Sequence, residues 1–125
     1  MNQVDRVQEP ATIYKICPAA LWQEAQASDV FRGAPVDRHD GFIHFSAAQQ
    51  VTETAARYFA SQDGLLLIAV DAFALGEKLR WEVARNGERF PHLYGDLTLT
   101  AVRWVKPLPL VADGRHVFPD LEGKG

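Results

Sequence analysis

The stretch Gly41-Phe42-Ile43-His44-Phe45-Ser46 sets one imidazole inside an apolar run and leads straight into a helical pattern at Ala47. Read as a strand, it sends Phe42, His44 and Ser46 to one face and Ile43 and Phe45 to the other. A second stretch, Phe90-Pro91-His92-Leu93-Tyr94-Gly95, repeats the device, with His92 and Tyr94 emerging together opposite Pro91 and Leu93. Two such strands in a small domain point to a shared polar site. Helices early and strands late in the chain favour an α+β fold around a mostly antiparallel sheet over a doubly wound one.

The remaining elements are read outward from these strands. Thr12 to Cys17 forms a first strand, and Pro18 suits the first turn of a helix whose apolar stripe is Leu21, Trp22 and Ala25. Ser28 to Asp40 is rich in Gly, Pro and Asp and reads as a long loop, a binding loop or lid rather than filler. Ser46 and Gln49 have capping-box spacing, which predicts Ser46 as the N-cap of a helix reaching about Ala60. Val51, Ala55, Tyr58 and Phe59 are its expected buried face.

Beyond Gly64, the run Leu65 to Val70 is apolar throughout and suits a central strand covered on both faces. Asp71 can cap a short helical turn through Leu75. Lys78 to Val83 and Arg89 to Leu93 flank Asn86-Gly87, a hairpin signal. A last strand, Ala101 to Val105, sets Val102 and Trp104 against Arg103 and stops at Pro107, and the tail from Gly114 reads as loose. The 125 residues make one domain, residues 1–125, with a core over about residues 12–111.

Composition narrows the function classes. With 47% apolar and 23% charged residues the chain is an ordinary globular protein, and no apolar stretch approaches the roughly 20 residues that span a bilayer. Met1 to Pro10 is polar and lacks the apolar segment of a secretion signal, so a cytoplasmic protein is expected, without a membrane partner. A net charge of −3 argues against a broad nucleic-acid surface but allows a local basic pocket for one small phosphorylated ligand. Cys17 is the single cysteine, has no disulfide partner and reads as a buried small hydrophobe.

Five kinds of side chain carry candidate chemistry. His44 can be satisfied by a neighbouring carbonyl, or, lying just before a helix N-terminus, can share a phosphate or carboxylate ligand with the free amides there. Ser46 is a cap, a ligand hydroxyl, or both. Arg80 and Glu82 share a face, with Trp81 pointing away. They are either solvated neighbours or, if that face lines a cavity, a phosphate holder and a stabiliser of a developing cation. His92 and Tyr94 can pair with neighbouring side chains or with a ligand, and Pro91 implies an edge or bulge beside them. His39, His44, Asp37 and Asp40 lack zinc-ligand spacing, so no metal is expected, and no phosphate-binding glycine loop occurs.

At Ile13-Tyr14-Lys15-Ile16, Asp40 to Ser46, Arg80-Trp81-Glu82 and Phe90 to Gly95 the chain resembles a small uncharacterised bacterial family, DUF952, over roughly Ile13 to Leu110. That family looks like a divergent branch of the ADP-ribosyltransferase fold. The resemblance implies a cleft for a nucleotide such as NAD, with Lys15 near the position that binds adenosine ribose in NAD-using relatives. Gly41 to Ser46 matches their Gly-apolar-Tyr-Phe-small motif, with His44 in place of Tyr. It further implies His44, Glu82 and His92 as catalytic candidates, and Lys15, Ser46, Arg80 and Tyr94 as cofactor-binding ones. The chain departs from the pattern in the late strand, where His92 and Tyr94 stand instead of the Glu that stabilises an oxocarbenium-like transition state. Glu82 lies one strand earlier. Related RNA 2′-phosphotransferases work with Arg and His and no such Glu, so that chemistry stays open, as does a binding module without catalysis.

Overall fold

A computed structural model of the chain describes residues 10–121; the N-terminal stretch before Pro10 and the chain beyond Leu121 lie outside the described residues. In order come β1 (Thr12–Pro18), α1 (Ala19–Ser28), β2 (Val30–Phe31), α2 (Pro35–Asp40), β3 (Ile43–His44) and α3 (Ala48–Tyr58). Then follow β4 (Leu65–Asp71), a 3-10 segment (Ala72–Lys78), β5 (Leu79–Val83), β6 (Arg89–Leu93), β7 (Leu97–Thr98) and β8 (Val102–Pro107). The described strands form three antiparallel sheets, ordered β1-β4-β8, β2-β7 and β3-β6-β5, so the α+β class holds.

β4 is the central strand its unbroken apolar run implies. Leu65, Leu67 and Ala69 enter one core cluster with Tyr14, Val51 and Leu108, whereas Ile68 and Val70 enter another with Ile13, Trp22 and Phe31. Both faces are covered, so neither needs polar residues. Asp71 Oδ1 accepts from the Phe73 N–H at 3.1 Å, starting the 3-10 segment where a short turn is expected. The hairpin stands too: Asn86 (φ 59°) and Gly87 (φ 76°) are both left-handed, which Asn and Gly tolerate, and the Glu88 N–H closes the turn on Arg85 O at 3.1 Å.

Elsewhere tertiary contacts overrule the local reading. The supposed loop Ser28 to Asp40 contains β2 and α2, because Val30 and Phe31 pair with Thr98 and Leu97 far along the chain. Ser46 is not the N-cap: its N–H and C=O are both consumed by Tyr14, at 2.9 and 2.8 Å, so the helix begins one residue later. Ala47 is the cap, and Gln50 rather than Gln49 reaches back to it, its Oε1 accepting the Ala47 N–H at 2.9 Å. α3 ends at Tyr58, which is 64% exposed rather than buried.

Pro91 sits in β6, the middle strand of its sheet, not in an edge strand. It is tolerated because its carbonyl accepts from Phe45 N–H at 3.0 Å, just past the end of the two-residue β3. The missing donor therefore faces a ladder that has already stopped. In β8, Val102 and Trp104 do not share a face. The register slips around Arg103, pairing Val70 with Val102 and Ala69 with Trp104, so the two side chains pack against different clusters. The tail from Gly114 is packed up to Leu121: Leu110 bridges His116, and Phe118 and Leu121 lie against the second cluster.

Candidate functional site

The Tyr14–Ser46 backbone bridge joins the edge of one three-stranded sheet to the strand end of the other, and the candidate site lies at this junction. Within the second sheet His44 stands opposite His92, and His92 opposite Arg80. Directly opposed residues share a face, and so do residues two apart, so His44, His92, Arg80, Glu82 and Tyr94 lie on one side of the sheet. Phe42 joins them, its ring stacked on His92 at 4.1 Å and 4.7 Å from the His44 ring. The two imidazoles are edge-on, 5.6 Å apart.

His44 is gripped by α2. Its Nδ1 lies 2.7 Å from Asp37 Oδ1 and its Nε2 3.0 Å from Asp40 Oδ2, so a carboxylate stands beside each ring nitrogen. Asp37 is 1% exposed and also takes the Lys15 ammonium, at 2.9 Å to Oδ2, and the Ala34 N–H at 2.8 Å. Burial pushes its carboxyl up, but the bonds from His44, Lys15 and the Ala34 amide prevail and bring its pKa down to about 2. Asp40 is also held below the usual carboxylate range, chiefly by the hydrogen bond from His39.

His92 is held from the other strand. Its Nδ1 lies 2.8 Å from Glu82 Oε1, the oxygen that also accepts from the Tyr94 hydroxyl at 2.8 Å. These bonds, that from His92 first, lower Glu82, and the bond to Glu82 raises Tyr94. The Arg80 guanidinium lies over the Tyr94 ring at 5.2 Å.

A cavity of about 530 Å³ opens beside the histidines, within the usual range for small-molecule sites. Lys15, His44, Ser46, Arg85, Phe90 and His92 are among its lining residues. Arg80, Glu82 and Tyr94 are not, although they share the sheet face. Lys15 is buried and spent on Asp37, and the Ser46 hydroxyl pairs with Thr54 Oγ1 at 3.1 Å. Cys17 is fully buried, its thiol pushed up to about 11 by burial, and it donates to its neighbour Pro18 O at 3.4 Å. Among the described residues no three His, Cys, Asp or Glu side chains are grouped to hold a metal ion, and no helix is long and apolar enough to cross a membrane.

Sequence reasoning missed the parts that α2 and the hairpin tip contribute. The sequence alone suggests Asp37 and Asp40 only as metal ligands and marks no site role for Phe42 or Arg85. A signal for Asp37 exists in Ala34-Pro35-Val36-Asp37, a proline opening a helical turn with an acid two residues on. Nothing local ties that acid to Lys15, 22 residues away in sequence.

The fold and cleft define a small α+β protein with two carboxylate-held histidines facing one cavity. The chain belongs to the family described as protein of unknown function, DUF952, whose model matches residues 16–105. It is similar to the crystal structure of protein CC0527 from Caulobacter crescentus, with 49% identity and a TM-score of 0.82, covering 85% of this chain and 93% of that one. The solution structure of the same protein is 50% identical, with a TM-score of 0.76 over 84% of this chain and 90% of that one. No curated protein matches.

Proposed function

We propose that the cavity binds a nucleotide of the NAD type, on a divergent ADP-ribosyltransferase-like fold in the cytoplasm, and that His92 is the residue acting on the ligand. One observation carries this reading. Glu82 holds His92 Nδ1 at 2.8 Å, leaving Nε2 without a partner among the described residues, on a ring that lines a cavity of about 530 Å³. An imidazole oriented in this way is placed to take or give a proton. His44, with a carboxylate beside each ring nitrogen, offers its ring rather than a proton shuttle.

The same geometry limits the chemistry. Glu82 is committed to His92 and Tyr94 and does not line the cavity, and Asp40, which does, is paired with His39 and His44, so among the described residues no free carboxylate stands ready for a cationic sugar centre. The protein is expected to bind nucleotide more convincingly than it hydrolyses NAD. A phosphotransferase-like reaction is the second reading, favoured by Arg85 and His92 lining one cavity.

Calorimetry with NAD and ADP-ribose, beside a nicotinamide-release assay, tests the reading. Binding of either nucleotide that His92→Gln weakens supports it; failure of both to bind removes it. Robust release by wild type that Glu82→Gln abolishes, with binding retained, would instead make Glu82 the transition-state stabiliser.

A further inference from the structure

We propose that Arg85, steadied by the Thr54 hydroxyl that accepts from it, is the anion subsite of this cavity and takes a phosphate group of the ligand whose other end meets His92. The proposal deepens the nucleotide reading and rests on it for the identity of the ligand.

Charge accounting in the lining singles out Arg85. Lys15 and Arg85 are the Lys or Arg side chains among the described lining residues. Lys15 is neutralised by buried Asp37, and His44 sits between Asp37 and Asp40. Arg80, the expected phosphate holder, lies over Tyr94 and outside the lining. Among the described residues Arg85 has no comparable counterion. Glu53 approaches its Nε only to 4.0 Å and is held at 3.0 Å by Arg57.

Arg85 is also built in place. Its side chain is 14% exposed, its Cζ lies 4.8 Å above the Phe90 ring, and its Nη2 donates to Thr54 Oγ1 at 3.3 Å. Its Nε is buried with no hydrogen-bond partner among the described residues. An unpaired buried donor is costly, and a guanidinium stacked on an aromatic face presents a fork that matches phosphate. Phe90, under the guanidinium, and His92 are two apart on β6, one strand repeat or ~7 Å along the backbone. Tyr58, also lining the cavity and largely exposed, has its ring 5.8 Å from the Arg85 Cζ and can cover the same ligand.

The test uses two probes, pyrophosphate and ADP-ribose, on wild type, Arg85→Gln and Arg85→Lys. The readouts are the side-chain Nε–H resonance of Arg85 and calorimetric affinity, with thermal midpoints confirming that each variant folds. Pyrophosphate is expected to shift the Arg85 resonance. Arg85→Gln is expected to weaken ADP-ribose at least tenfold, and Arg85→Lys to weaken it less. If ADP-ribose binds wild type and Arg85→Gln equally, the subsite is wrong while the nucleotide reading stands. If pyrophosphate moves Arg85 but ADP-ribose does not bind, the subsite stands and the nucleotide reading fails. Silence from both probes overturns the subsite.

Discussion

His44 and His92 face each other across one ladder, yet they are held in opposite ways. His44 leans on buried Asp37, itself locked to Lys15, and has Asp40 on its other nitrogen. His92 has one nitrogen on the partly exposed Glu82 and one without a described partner. The difference separates two jobs. A histidine with a carboxylate on each nitrogen, one of them buried and locked to Lys15, belongs to the scaffold of the cleft, and one held by a single carboxylate keeps a nitrogen for a ligand.

The largest expected effect breaks the scaffold side. Asp37→Ala strands Lys15 without a counterion inside the protein and removes the brace of His44, and should cost about 3–5 kcal/mol in urea unfolding. A loss below ~1 kcal/mol would show that His44 does not depend on Asp37. The next effect uses acid. Asp37 has a folded pKa of about 2, below its ordinary 3.8, so it stabilises the fold fully above pH ~4 and loses that contribution as pH falls toward 2. The loss amounts to about 2 kcal/mol, read as a falling urea midpoint that Asp37→Asn abolishes.

Glu82→Gln sharpens the ligand side. It should leave the thermal midpoint close to wild type and weaken ADP-ribose several-fold, because a neutral amide orients His92 less firmly. An unchanged affinity would mean that His92 needs no orientation. Gln50→Ala against Ser46→Ala gives a smaller contrast at the start of α3. Gln50 caps Ala47 and donates to Arg89 O at 2.7 Å, so its loss should cost about 2 kcal/mol, against ~1 kcal/mol or less for Ser46. Equal losses would restore Ser46 as a cap. Smallest of all, Arg80→Ala should leave ADP-ribose affinity within error, since Arg80 lies outside the cavity lining.

Much of the site was legible because strand alternation is local: the sidedness of Phe42 and His44, of His92 and Tyr94, and of Arg80 and Glu82 follows from the pleat alone. The placing of Lys15 near the site came from resemblance, which did not foresee that its charge is spent on Asp37. Capping-box spacing points to Ser46 and Gln49, and spacing carries no information about the Tyr14 bridge that displaces the helix start.

By itself the sequence determined the α+β class, the central burial of Leu65 to Val70, the Asn86-Gly87 turn and the side of the strand from which each histidine emerges. Each follows from periodicity or from a φ that few residues tolerate, and both act within a handful of neighbours. Only the tertiary structure decided which charges pair, that Arg85 rather than Arg80 lines the cavity, and that Pro91 fits a middle strand. Those outcomes depend on contacts between residues far apart in the chain, where burial and electrostatic pairing outweigh local preference.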